Sequence, residues 1–156
     1  MAILKWIFAL AVGGFLLLFG FFKVSGAAFI FPYIEFKAGA AGLPLAGLAY
    51  PVGNWLVGIM ELVAGVLVIL PMTRTTIGAP FAVLPFLGAV VMHLTPYLGT
   101  NTPLDFATPK PVDALKAGEG FVRSDFTAET GSTLFMIAVG MLIVSVVNLF
   151  IQRRPG

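Results

Sequence analysis

Four long apolar stretches, separated by segments that are polar or rich in proline and glycine, dominate the pattern along the chain. They cover residues 6–25, 52–70, 77–96 and 132–151. Each is close to the ~20 residues with which an α-helix crosses the hydrocarbon core of a bilayer. The first run is longer than the ~7 to 15 apolar residues of a signal peptide, which favours a transmembrane helix. The pattern therefore predicts an all-α, integral membrane four-helix bundle, with residues 1–156 forming a single membrane domain.

Two connecting segments are long, and both are expected on the side opposite the termini. Residues 26–51 combine aromatic side chains with repeated proline and glycine, a mixture typical of the interface between lipid and water. This pattern predicts an ordered aromatic first loop, either a re-entrant or surface-lying segment or an ordinary loop folded over the bundle. Residues 98–130 form a long third loop that carries three basic and five acidic residues.

Composition supports this class and excludes others. Hydrophobic residues make up 59% of the chain and charged residues 10%, whereas charged residues alone are about a quarter of a soluble domain. The net charge is +2, but the nine basic residues lie scattered between apolar stretches and form no stripe for nucleic acid. The chain has no cysteine, so disulfides and thiolate ligands are excluded.

The distribution of basic residues predicts which side of the membrane the termini occupy. Four spans place Lys5, Arg74, Arg153 and Arg154 on the side of the termini, where the polar segments are very short. Five basic residues on the opposite side are spread over much longer loops. Because positive charge in short segments is typical of the cytoplasmic side, we expect both termini to be cytoplasmic.

The second apolar stretch contains one charge, Glu61, near its middle. At ~1.5 Å per residue, Glu61 lies about 14 Å from Val52, which is close to the midplane of the bilayer. A charge at that depth costs about 2.5 kcal/mol or more. Glu61 is therefore the leading candidate for a functional residue, while a structural role, protonated or bonded between helices, is the alternative.

Helical spacing groups the small and polar residues of the first two spans. Three, four or seven residues separate neighbouring members on one face of each helix, and such faces point into a bundle. The second span contributes Asn54, Gly58, Glu61 and Gly65, and the first span contributes Ala9, Gly13, Gly20 and Lys23.

Three ionisable side chains are expected near one another at one end of the bundle. Lys23 and Glu61 differ in depth by about 9 Å along their helices, and their side chains lean toward each other because the helices are antiparallel. His93 lies about 6 Å below the same surface. We predict a pocket with Lys23, Glu61, His93 and Asn54. In the alternatives, Lys23 extends to the interface and His93 bonds to a loop.

Other chemistries are excluded by what the sequence lacks. A single histidine excludes a bis-histidine haem within one chain, and the spans contain too few ligands for a zinc or di-iron site. No phosphate-binding glycine motif occurs. No metal site is predicted.

Several short motifs together resemble the DoxX-like family of small bacterial membrane proteins. The motifs are Gly20 and Lys23, Gly42 and Pro44, Glu61 and Gly65, and Arg74. The resemblance covers about residues 4–97, and it implies a four-helix bundle in the bacterial cytoplasmic (inner) membrane. Some members of that family are membrane subunits of quinone-linked oxidoreductases.

Two functions remain open. In the first, the protein is a non-catalytic subunit or a binding module for a lipid or a quinone, with membrane lipids and other membrane protein subunits as partners. In the second, it is the membrane subunit of a quinone-linked oxidoreductase, in which Glu61 is the proton-transfer group and Lys23 or His93 polarises a carbonyl oxygen.

Overall fold

The computed structural model describes residues 2–26, 30–103 and 130–154. Within these ranges the chain forms five α-helices. They are α1 (Ala2–Val24), α2 (Ile30–Ala40), α3 (Asn54–Ile69), α4 (Ala79–His93) and α5 (Thr133–Arg153). Two-residue strands, β1 (Thr102–Pro103) and β2 (Thr130–Gly131), pair antiparallel before α5. In the described part of the chain, four helices are long and apolar enough to cross a membrane, which confirms the predicted spans in number.

The ends of the spans differ from their predicted positions by a few residues. The first helix begins at Ala2 rather than at Trp6, so Lys5 lies within the helix and does not mark its start. Irregular helical turns precede α3 and α4, so the second apolar span reaches back to Ala46 and the third to Arg74. Most of the predicted third loop, 104–129, lies outside the described residues.

Glycines allow α1 and α3 to pack closely. A side chain on Gly20 would place its Cβ 2.8 Å from the carbonyl oxygen of Gly58, and one on Gly65 would lie 2.9 Å from the carbonyl oxygen of Gly13. The small and polar faces predicted on these two helices are buried along their whole length. Close backbone approach of this kind is typical of helix pairs in membranes, where small residues line the contact.

An apolar core fills the space beside this helix pair. It consists of Val12, Leu16, Ala64, Val68, Ala79, Ala82 and Phe86, so it joins α1, α3 and α4. Pro85 lies inside α4, where it has no N–H to donate to the carbonyl of Phe81. Side chains of α5 such as Met141 and Leu142 pack against this core.

Within the segment predicted as the first loop, the described residues 30–51 are largely helical, which differs from an ordinary irregular loop. They contain α2 and a 3₁₀ turn at Ala46–Leu48. Pro32 does not interrupt α2 because it lies in the first turn, where backbone N–H groups have no partner within the helix. Tyr33 and Ile34 of α2 pack against Leu98, which follows α4. The helix therefore covers the bundle at the end opposite the termini.

Polar contacts hold the two termini together at the other end. The ammonium group of Lys5 donates to the carbonyl of Arg154 at 2.6 Å, and Gln152 Nε2 donates to the carbonyl of Lys5 at 2.7 Å. Since Lys5 is near the start of α1 and Arg154 follows α5, both termini lie on the same side of the bundle, as four spans require.

Candidate functional site

Lys23 and Glu61 form an ion pair inside the bundle. Lys23 Nζ donates a hydrogen bond of 2.6 Å to Glu61 Oε2, and only 8% of Lys23 and 7% of Glu61 is exposed. Lys23 lies in the last turn of α1, and Glu61 lies in the middle of α3. Because each side chain leans toward the N-terminus of its own helix and the two helices are antiparallel, the pair bridges their difference in depth. Lys23 therefore does not extend to the interface.

Asn54 has a different role from the one predicted for it. Its side-chain Nδ2 donates at 2.8 Å to the backbone carbonyl of Lys23. In the described part of the chain, Asn54 is not among the residues that line the cavity beside the ion pair. Asn54 thus ties the start of α3 to the end of α1, and this contact holds the Lys23 backbone where its side chain can reach Glu61.

A cavity of about 370 Å³ opens beside the ion pair. Side chains from all five helices line it, and most of them are aliphatic or aromatic, including Phe15, Phe19 and Phe31. Among the described residues, the ionisable side chains in this lining are Lys23, Glu61 and His93. The predicted site residues other than Asn54 therefore share one cavity.

His93 lies at the end of α4 with one ring nitrogen engaged. Nδ1 lies 2.8 Å from the carbonyl oxygen of Ala89, and Nε2 is buried without a hydrogen-bond partner among the described residues. The ring lies 5.9 Å from the ring of Phe135 on α5. His93 thus bonds to its own helix rather than to a loop, and in the described structure it makes no direct hydrogen bond to Lys23 or Glu61.

Two residues of α4 that line the cavity, Leu84 and Gly88, are also exposed at the surface of the bundle. We infer from this that the cavity has an opening on the outer face of α4. Because α4 is one of the apolar spans, this opening faces the region that lipid tails occupy in a membrane. An apolar molecule can therefore enter sideways without crossing the polar ends of the bundle.

Arg74 is a residue whose position the sequence analysis did not foresee. Its place in a short polar segment between two spans does not indicate burial, but it is 5% exposed and lies over the ring of Trp6 at 3.8 Å. Its Nε donates to the carbonyl of Val68 at 3.1 Å and its Nη2 to that of Ile69 at 2.6 Å. These carbonyls lie in the last turn of α3, where they lack helical partners. Arg74 therefore caps α3, at the end of the helix far from the cavity.

A polar stripe on α5 was also missed. Ser145, Asn148 and Gln152 are buried, and Gln152 Nε2 donates to Asn148 Oδ1 at 2.9 Å. Their spacing of three and four residues is the signal that grouped the polar residues of the second span. The same rule applied to the last span would have indicated a second inward polar face.

These features define the class of the protein. Four apolar helices of spanning length, with an ion pair buried between two of them, indicate a multi-pass membrane protein of the helical-bundle type. Among the described residues, no group of three or more His, Asp or Glu side chains could hold a metal ion. Comparison of the chain with known protein families, curated proteins and solved structures gives no match.

Proposed function

We propose that this protein is a DoxX-like binding module for a small apolar molecule, a lipid or a quinone, and acts as a non-catalytic subunit of a larger membrane complex. The observation that carries the proposal is the cavity, because it is almost wholly apolar yet has a buried ion pair in its wall. Ligand sites in proteins combine an apolar lining with a few polar groups that fix orientation.

The resemblance to DoxX-like proteins is consistent with this proposal. Gly20 and Gly65 lie in the tight contact between α1 and α3, and the same contact contains Lys23 and Glu61. Four of the residues that carry the resemblance therefore lie in one helix contact, and two of them, Lys23 and Glu61, also line the cavity. The contact between α1 and α3 thus places an acidic and a basic side chain next to each other beside the apolar cavity.

Binding is tested by filling the cavity. Gly88 lines the opening and has no atom within 4 Å of an added Cβ, so Gly88→Leu places a side chain at the entrance without a clash at Cβ. Gly140 on α5 is also exposed and also has no atom within 4 Å of an added Cβ, and it is not a lining residue among those described. Gly140→Leu is therefore the matched control.

The measurement is the content of lipids and quinones that remain with each variant after purification in mild detergent. We expect wild type and Gly140→Leu to retain one class of molecule that Gly88→Leu loses. Equal content in all three proteins would contradict binding in this cavity. The subunit role is tested on the same material, since a protein that purifies alone from mild detergent would contradict it.

The orientation we propose is that of a bacterial cytoplasmic membrane protein with both termini in the cytoplasm. Lys5, Arg153 and Arg154 lie together at one end of the bundle, where the polar segments are short. Because the chain has no cysteine, single cysteines report sidedness directly. We expect a membrane-impermeant thiol reagent added to spheroplasts to label Ala41→Cys and not Arg154→Cys; the reverse pattern would invert the topology.

A quinone-linked oxidoreductase subunit is the second candidate. One observation favours it: Glu61, Lys23 and His93 face one cavity, so a proton-exchanging acid lies near two groups able to polarise an oxygen. In this case Glu61→Gln abolishes quinone turnover in a complex that still assembles. Unchanged turnover in the assembled complex would exclude the catalytic role of Glu61.

A further inference from the structure

The buried ion pair can offer a ligand in the cavity both a hydrogen-bond acceptor and a hydrogen-bond donor. Glu61 Oε2 accepts from Lys23, and this bond does not use the second carboxylate oxygen, Oε1. The carboxylate therefore offers the cavity an acceptor. Lys23 uses one of its three N–H groups on Glu61, which leaves it able to donate.

His93 adds no donor to the cavity. Its Nδ1 lies against the carbonyl of Ala89, and a carbonyl can only accept, so Nδ1 carries the hydrogen. In the neutral imidazole the other nitrogen then has a bare lone pair. This nitrogen, Nε2, is the one that is buried without a partner among the described residues. Because Nε2 has almost no accessible surface, the polar groups that a ligand in the cavity can reach, among the described lining residues, are those of Lys23 and Glu61.

The charges of the lining balance. Among the described lining residues, Lys23 contributes one positive charge and Glu61 one negative charge. An anionic head group beside Lys23 would also face the Glu61 carboxylate, and a cationic one would face the ammonium of Lys23. Burial in an apolar space makes an additional unpaired charge costly. Both the repulsion and the cost of burial therefore favour a ligand whose polar group is neutral.

We propose that the molecule held here is a neutral amphiphile with a single apolar chain whose polar end is a hydroxyl, which donates to Glu61 and accepts from Lys23. This inference rests on the proposed binding function and specifies its ligand. A group that only accepts, such as an ester, an ether or a quinone carbonyl, can satisfy Lys23 but leaves the Glu61 carboxylate without a further donor. A hydroxyl satisfies both members of the pair.

The size and the opening of the cavity support a single chain. A volume of about 370 Å³ lies near the lower end of the roughly 300–1,000 Å³ found for ligand pockets. The exposed rim at Leu84 and Gly88 allows the far end of a long chain to continue into the membrane. Lipid alcohols and long-chain hydroquinones share this chemistry.

The test uses the purified full-length protein in phosphatidylcholine nanodiscs and photoreactive probes that share one apolar chain. The probes are a long-chain alcohol, its methyl ether, the matching fatty acid anion, and a hydroquinone with its dimethyl ether. Labelling is mapped to α1 and α4 by mass spectrometry. We expect each hydroxyl probe to label the cavity about tenfold more strongly than its ether, as one hydrogen bond to a charged group implies. The alcohol and the hydroquinone are then compared, and the one that labels the cavity more strongly shows whether the ligand is a lipid alcohol or a hydroquinone.

A double variant separates head-group recognition from folding. Lys23→Met with Glu61→Leu removes both charges while keeping the cavity apolar, and we expect it to take up alcohol and ether equally. A preference for the hydroxyl that persists in this variant would overturn the proposal. So would stronger labelling by the anion, or equal labelling by alcohol and ether in wild type, although either result leaves cavity binding intact. If no probe labels the cavity, the proposed function itself fails.

Discussion

The ammonium group of Lys23 donates a 2.6 Å hydrogen bond to Glu61 across the contact between α1 and α3, and Asn54 holds the Lys23 backbone from the same side. The pair is buried, with side-chain exposures of 10% for Lys23 and 9% for Glu61. Removal of one partner from such a pair leaves a buried charge without compensation, whereas removal of both does not. The stability of the helix contact therefore depends on both residues together.

For the ion pair, we expect Glu61→Gln and Lys23→Met each to lower the free energy of unfolding by about 3–5 kcal/mol. The combined variant Lys23→Met with Glu61→Leu should lose less than either single variant, because no charge remains buried. A double-mutant cycle measured by unfolding in mixed detergent micelles checks this. Additive losses would show that the two side chains do not interact in the folded protein.

For the contact between helices, we expect Gly20→Ala to destabilise the protein by about 1–3 kcal/mol, as overpacking does. The added methyl group would lie 2.8 Å from the carbonyl oxygen of Gly58, which is backbone and cannot move aside. Gly14 on the same helix has no atom within 4 Å of an added Cβ, so Gly14→Ala is the control. Equal thermal stability of the two variants in detergent would argue against this contact.

Arg74 offers a test at the other end of α3. The guanidinium donates to two carbonyls through different nitrogens and stacks on Trp6, which an ammonium group cannot reproduce. We expect Arg74→Lys to lower the free energy of unfolding by about 1–3 kcal/mol, on the scale of hydrogen bonds to charged groups. Arg153 is exposed, so Arg153→Lys should have no measurable effect in the same unfolding assay. If Arg74→Lys leaves the free energy of unfolding unchanged, the cap does not stabilise α3.

Glu35 on α2 makes stability depend on pH. Its Oε2 is buried without a partner among the described residues, and burial raises the pKa of Glu35 above its usual value of 4.5. A raised carboxyl pKa favours the protonated form of the folded protein. The stability associated with protonated Glu35 is therefore complete below the pKa that Glu35 has in the unfolded chain. It is lost as the pH rises through the pKa of Glu35 in the folded protein.

We therefore expect Glu35→Gln to be more stable than wild type at neutral pH and to show a smaller loss of stability between about pH 4 and 7. Unfolding in detergent measured across this pH range is the assay. Lys37→Gln removes a charge from the same helix and should retain the slope of wild type. If Glu35→Gln retains the full slope as well, the dependence on pH arises elsewhere in the chain.

Much of the bundle follows from local pattern. Apolar runs of spanning length predict the four long helices, and the spacing of Gly58, Glu61 and Gly65 predicts the inward face of α3. The helical character of residues 30–40 was not predicted, because Pro32 suggests interruption unless its place in the first turn is known. The predicted start of α1 was four residues late because the apolar run begins after Lys5, whereas the helix includes Lys5.

The sequence by itself determined that this chain dissolves in lipid and that a buried acid, Glu61, faces the interior of the bundle, since hydropathy and helical periodicity are local properties. Only the tertiary structure decided that Glu61 meets Lys23 directly, that Arg74 turns inward to cap α3, and that a cavity remains between five helices. Those outcomes depend on the rotation and relative depth of packed helices, which are set by contacts between residues far apart in the chain.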